Sequence, residues 1–202
     1  MVTIRKGEAW GEPCTPPAGL VVLRDEREAG RWLRGLQGLP SEPIGLSGGD
    51  LARTMGGGAA GRFDGTVTRA PVDLLRLRLD GAETFALSHV VLRDAWWRRR
   101  VVLLMNAQFL SRRDVAPRSH PNDGRVDVLE VAAEMPLRAR FQAARRAVTG
   151  THLPHPQLSA RQVQRWSMEF DRPIGCWLDG ERAGRVSRFE LEVVPDGLVV
   201  HV

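Results

Sequence analysis

Four short stretches of this chain combine residue types that could do chemistry. The first is Ser47-Gly48-Gly49-Asp50, followed by Leu51-Ala52-Arg53. Glycines ahead of a helix let backbone N–H groups approach an anion, and the helix dipole favours negative charge there. Asp50 could instead cap the helix that follows. No Walker phosphate loop is present, since Lys6, the only lysine, lies far from any glycine loop of that spacing. The second stretch is Pro121-Asn122-Asp123-Gly124. Asn, Asp and Gly accept the positive φ of tight turns, and Asp can bond the backbone two residues on. One carboxylate with loop carbonyls would also suit a hard cation such as Mg²⁺.

The third stretch, Leu178-Asp179-Gly180-Glu181, reads as a hairpin tip with two carboxylates. It could hold a general base near a hydroxyl, or be a solvated Asp-Gly turn. The fourth, Trp96-Trp97-Arg98-Arg99-Arg100, places Trp beside Arg. That pairing suits a membrane interface or a stacked anion. The alternative is a strand end with its tryptophans in the core and its arginines in solvent. His120, His152 and His155 have no helical spacing that would gather them on a zinc ion. Cys14 and Cys176 are too few for a disulfide framework and read as two thiols. No nucleophile elbow is present.

The elements that must position these groups change character along the chain. Gly19 to Leu23 reads as a buried strand, and Asp25 can cap a helix over Glu26 to Leu36 with Ala29, Trp32, Leu33 and Leu36 on one face. A short strand from Glu42 to Leu46 leads to the Gly-rich turn and a short helix, Leu51 to Met55. The glycine run Gly56–Gly61 punctuates the chain. Beyond it most segments read as strands: Asp73 to Leu79, Thr84 to Leu92, Val101 to Met105, Arg125 to Val128, Arg161 to Phe170, Ile174 to Leu178, Arg188 to Val194 and Leu198 to Val202. Val101 to Met105 reads as buried on both faces, and Arg125 to Val128 as half-buried. Asp80-Gly81, Asp179-Gly180 and Asp196-Gly197 mark turns. Leu137 to Val148 is the one helix candidate in this half, ending at Gly150. The expected fold class is α+β: a small truncated α/β lobe over residues 1–66, then a larger antiparallel β-sandwich over residues 67–202.

The chain has 202 residues and a net charge of +5. A modest arginine excess permits a phosphate-bearing or anionic-surface partner. The arginines do not form one block like a nucleic-acid arm, so no nucleic acid is expected. No stretch approaches about 18 consecutive apolar residues, and the first residues lack a signal-peptide apolar region. A cytoplasmic location is the expectation.

Taken in order, three of the stretches resemble the later part of the diacylglycerol kinase/sphingosine kinase-type lipid kinases, in their soluble bacterial branch. Pro43-Ile-Gly-Leu-Ser-Gly-Gly-Asp-Leu-Ala-Arg53 is similar to the family's Pro-Leu-Gly-Thr-Gly-Asn-Asp-x-Ala-Arg motif, with one extra residue. Met105-Asn106-Ala107, Ala116-Pro117 and Pro121-Asn-Asp-Gly-Arg-Val-Asp-Val128 are similar to a strand, loop and Asp-Asp-Gly-x-Leu-Asp-Val segment. Asp179-Gly-Glu181 and Val194-Pro-Asp-Gly-Leu-Val-Val200 resemble the final pair of motifs. The resemblance spans residues 40–202.

It implies a nucleotide-binding α/β domain and a β-sandwich, with lipid and ATP meeting in the cleft between them. It implies a structural Mg²⁺ on Asp123, with the backbone carbonyls of His120 and Arg125. It implies Glu181, with Asp179, as the catalytic pair, Glu181 taking the hydroxyl proton. It places Ser47, Gly48, Gly49 and Asp50 at the nucleotide. The family's Gly-Gly-Asp-Gly-Thr phosphate loop is absent from this sequence. Phosphoryl transfer is mainly positioning and charge stabilisation, so ATP binding is expected to be poor. The leading expectation is a lipid-kinase-family protein with weak or no kinase activity, holding a lipid or phosphorylated ligand in the cleft, with peripheral membrane contact. A competent ATP-dependent lipid kinase using Glu181 is the second. A non-enzymatic interaction module, whose sandwich serves a partner or self-association as a homodimer, is the third.

Overall fold

The computed structural model describes residues 11–36, 38–57 and 62–202. Part of the glycine run, residues 58–61, lies outside them. The first elements are β1 (Glu12–Cys14), β2 (Val21–Leu23), α1 (Glu26–Arg34), β3 (Ile44–Leu46) and α2 (Gly49–Thr54). A 3₁₀ turn at Arg62–Asp64 leads to β4 (Val67–Leu79), β5 (Ala82–Ala86), β6 (His89–Ala95) and β7 (Arg98–Met105). Two short strands follow, β8 (Phe109–Leu110) and β9 (Arg113–Asp114), then β10 (Val126–Val131). The chain ends with α3 (Leu137–Arg146), a 3₁₀ turn at Ala147–Thr149, and β11 (Leu158–Val163), β12 (Arg165–Leu178) and β13 (Glu181–His201).

One sheet carries most of the molecule, in the order β1-β4-β13-β12-β6-β7-β10-β11, with β5 added to β4 and β3 to β13. Its pairings are antiparallel except β2 with β3 and β3 with β13. Leu77, Leu92, Leu104, Cys176 and Phe189 from five different strands meet in one buried cluster. The sheet therefore closes over its own inner face as a β-sandwich. Period-two alternation sends the next residues the other way: Val91, Val101, Leu103 and Leu129 form a second cluster. Val101 to Met105 is accordingly buried on both faces. So is most of β10, where a half-buried strand was expected, because β7 and β11 flank it and the second cluster covers its outer face.

Asp80 and Gly81, at φ +50° and +92°, make the expected tight turn. Three strand boundaries differ from expectation. The return strand breaks at Leu87-Ser88, with β5 staying on β4 while β6 pairs with β7 and β12. The strand expected over Arg161 to Phe170 divides at Gln164 between β11 and β12, and β12 runs on through an irregular stretch between Glu169 and Ile174 into the strand expected over Ile174 to Leu178. Asp196-Gly197 is no turn between strands but a bulge inside β13, where the register against β4 shifts and Asp196 takes φ +53°. The reason is Asp73, a fully buried carboxylate on β4. It accepts hydrogen bonds from Asp196 N at 3.1 Å and from Gly124 N at 2.7 Å. The bulge and the Asp123-Gly124 turn are both pinned to β4 by this one side chain.

Asp25 caps α1 as expected, accepting from Glu28 N. Ala29 and Leu33 are buried, but Leu36 is exposed because the helix stops at Arg34. This helix covers a third cluster that joins Ile44, Leu46 and Leu51 to Leu74 and Val200 of the sheet. The boundary expected near residue 66 thus falls between segments that share one sheet, with β1 on β4 and β3 on β13. Among the described residues, no helix is long and apolar enough to cross a membrane.

Candidate active-site cavity

A cavity of about 670 Å³ lies between the N-terminal ends of α1 and α2 and the inner side of α3. Its floor is the outward face of β6, where His89, Val91 and Arg93 alternate with core residues. Those three positions span roughly 13 Å at strand spacing. Val91, Leu103, Val115, Leu129 and Met135 make the walls apolar. One end is polar and carries Glu26, Asp50, His89 and Asp179. The other holds Arg93, stacked between the rings of Trp96 at 4.6 Å and Trp177 at 4.1 Å.

The polar end is built around Asp179. Asp179 and Gly180 form the β12–β13 turn with φ +50° and +80°. The Asp179 carboxylate is fully buried and accepts from three consecutive amides, Leu87 N, Ser88 N and His89 N, at 2.8 to 3.2 Å. This explains why the chain leaves strand geometry at Leu87-Ser88. Arg34 of α1 completes the shell at 3.4 Å. The close approach needs glycine at position 30, since a Cβ there would sit 2.6 Å from Asp179 Oδ2. Asp179 is therefore no solvated turn residue. Glu181 stands beside this shell, ion-paired to Arg34 at 2.9 Å and Arg31 at 3.5 Å. It is not among the residues lining the cavity.

Of the residues expected at a nucleotide, Asp50 reaches the cavity and Ser47, Gly48 and Gly49 do not line it. Asp50 does not cap α2. It lies in the first turn and its carboxylate accepts from Ser111 N at 2.5 Å and Arg112 N at 3.1 Å, fixing the β8–β9 hairpin. Gly48 is the N-cap and has no side chain to offer. Glu26, from α1, supplies the missing acceptor, taking the hydrogen bond from Asp50 N at 2.7 Å. Gly49, at φ +93°, leaves the room, because a Cβ would lie on Glu26 Oε2. The Asp50 amide at the start of α2 is thus already turned to a carboxylate of the same chain.

Glu26 escaped the sequence reading, which saw it only as a helix start; nothing in its spacing links it to Asp50 twenty-four residues on. Burial, then repulsion from Asp50 and Asp179, raises its carboxyl from 4.5 to about 7, against the hydrogen bonds that hold it. His89, also missed, is buried and its pKa is lowered by that burial, so its imidazole is neutral. Arg140 was missed too. Its guanidinium donates to the carbonyls of Met135, Trp96, Arg99 and Ala132 and clamps α3 over the cavity.

The expected Mg²⁺ residues lie elsewhere, away from the cavity lining. Asp123 accepts from Arg125 N at 3.0 Å, and His120 Nδ1 accepts from Asn122 N. Among the described residues no three His, Cys, Asp or Glu side chains converge on a metal position. A cation here would have Asp123 as its carboxylate, with main-chain oxygens for the rest. The donor chemistry fits a hard cation: burial raises the Asp123 carboxyl, and Asp123 in turn raises Asp73 and Asp127, each to about 6 with burial as the main cause. The tryptophans expected in the core are at the surface, Trp96 41% and Trp97 57% exposed. They form the tip of the β6–β7 hairpin, which extends past the neighbouring strands. Cys14 and Cys176 are unbridged, as expected.

The raised Glu26 pKa gives a pH dependence of stability. Between about pH 4.5 and 7 the folded chain keeps a proton that the unfolded chain releases, so this group lowers stability as pH rises. Glu26→Gln removes the ionisation and still offers an oxygen to Asp50 N. In urea unfolding, the variant should gain on the parent by roughly 2 kcal/mol more at about pH 8 than at about pH 5. An equal difference at both pH values contradicts the assignment.

Comparison with known proteins bears on what this geometry is. Residues 72–202 match the YegS C-terminal NAD kinase beta sandwich-like domain. No curated protein matches the sequence. The fold is similar to a solved protein of Bacillus anthracis str. Sterne assigned as a diacylglycerol kinase, with TM-score 0.65 and 12% identity over 90% of this chain and 77% of that one. A second such structure from the same organism gives TM-score 0.61 and 14% identity over 86% and 72%. A third, named a diacylglycerol kinase, gives 0.59 and 12% over 86% and 71%. With most of its length inside the matched domain and the same sandwich in its structure, the chain belongs to the family of the YegS C-terminal NAD kinase beta sandwich-like domain.

Proposed function

We propose that the chain binds a hydroxyl-bearing lipid such as a diacylglycerol in the cavity above β6, with weak or no phosphotransfer of its own. The observation that carries this reading is the two-ended cavity: apolar walls, with Glu26, Asp50 and Asp179 at one end beside Arg27, and Arg93 with Glu130 toward the other. Carboxylates accept a hydrogen bond from a hydroxyl. The polar end therefore offers acceptors to the hydroxyl of a neutral lipid, beside the Arg27 guanidinium. Low phosphotransfer follows from the state of the other groups. The Asp50 amide at the start of α2 already serves Glu26, and Glu181 is held by two arginines.

A competent lipid kinase is the second reading, favoured by the retained Asp179-Gly180-Glu181 turn. There Glu181 would leave its ion pairs and take the hydroxyl proton. Calorimetric titration with dioctanoylglycerol separates the readings from each other and from no binding at all. The parent chain should bind the lipid, and Ala143→Trp, which fills the cavity beside α3, should weaken binding at least tenfold, roughly 1.4 kcal/mol. Mg·ATP should give no binding heat. Lipid binding that survives Ala143→Trp contradicts the site. Phosphorylation of the lipid, lost in Glu181→Gln, establishes the kinase reading instead.

We also propose that Mg²⁺ on Asp123 has a structural part, holding the turn before β10, where Asp123 raises the carboxyls of Asp73 and Asp127. Mg²⁺ at millimolar concentration should raise the melting temperature of the parent chain and leave Asp123→Asn unchanged. Equal shifts in both contradict the assignment.

A further inference from the structure

We propose that the β6–β7 hairpin tip and the outer stripe of α3 form one docking surface for an anionic lipid bilayer. The proposal goes beyond the cavity reading and can fail separately from it. Four large apolar side chains are at least half exposed here: Trp97 at 57%, Leu137 at 50%, Phe141 at 65% and Val148 at 57%. Leu137 and Phe141, four residues apart, share one face of α3 beside the buried Arg140, and Val148 follows in the 3₁₀ turn that continues the helix. Arg140 ties the hairpin to the helix by donating to the carbonyls of Trp96 and Arg99 at 3.1 and 2.6 Å. The two pieces therefore present a fixed surface.

Charge selects the partner. Arg98 follows Trp97, and Arg138 and Arg145 flank the apolar residues of α3; all three are exposed and form no ion pair among the described residues. Arg99 is paired with Asp94, and the nearby acid Glu134 is exposed beside the helix start. Apolar residues ringed by arginines suit an anionic interface, where Trp and Phe enter the boundary and guanidinium groups meet lipid phosphates. A second copy of this chain fits poorly, because a symmetric contact would bring like-charged arginines together. The surface is also continuous with the cavity, since Trp96 and Ala144 belong to both. Docking would bring the cavity to the source of its ligand.

The test uses sedimentation with vesicles containing no acceptor lipid, one set of phosphatidylcholine alone and one with about a third phosphatidylglycerol. The parent chain should bind the anionic set, and more weakly as salt rises. Trp97→Ser with Phe141→Ser, and separately Arg138→Glu with Arg145→Glu, should each weaken binding roughly tenfold or more. All four positions are exposed, so unchanged circular dichroism and dioctanoylglycerol binding in these variants confirm that fold and cavity are intact. No binding by the parent overturns the proposal. So does undiminished binding in either variant, or a parent dimer in solution that the Trp97/Phe141 variant dissociates.

Discussion

The Asp179 carboxylate is the interaction on which the rest of the site depends. A buried carboxylate is tolerated only when its oxygens are satisfied. Here three successive amides and one guanidinium do so. Each of these partners belongs to a different structural job. The amides turn the chain from β5 to β6, the guanidinium brings α1 down onto the sheet, and Asp179 itself closes the β12–β13 turn. Removing the carboxylate would leave three buried N–H groups without their acceptor and Arg34 with Glu181 alone. The polar end of the cavity is a by-product of that arrangement, because the same contact delivers Glu26 and His89 to one place.

A second carboxylate organises the other half of the molecule by the same physics. Asp73 holds the β13 bulge and the Asp123-Gly124 turn together on β4. Asn106, also buried, donates to the carbonyls of Asp73 and Leu87 and so links the two carboxylate centres through the sheet. The segments that resemble lipid kinases at the sequence level are thus the segments that these buried polar groups connect. Their residue types are explained by backbone satisfaction before any chemistry is invoked.

Much of the fold was legible because it rests on local rules. The Asp80-Gly81 turn, the Asp25 cap and the two-faced burial of Val101 to Met105 follow from turn chemistry and apolar runs. The ordered motifs pointed to the family that the matched domain establishes. What was not legible depends on distant partners. Asp196-Gly197 has the residue types of a turn, and only Asp73, over a hundred residues away, makes it a bulge. Asp50 looks like a cap until the β8–β9 hairpin claims its carboxylate. Glu26 carries no signal at all, since its role exists only where two helix starts meet. The tryptophans at 96 and 97 have the composition of a core, yet they sit on a hairpin tip beyond it.

The central claim is that the cavity above β6 receives a lipid with its hydroxyl at the Glu26, Asp50 and Asp179 end. A crystal structure of the chain with dioctanoylglycerol tests it most directly. The lipid should lie along Val91, Leu103 and Leu129, with its hydroxyl within hydrogen-bond distance of the Glu26 or Asp50 carboxylate. A lipid found outside this cavity, or one whose hydroxyl points to the arginine end at Arg93, would contradict it.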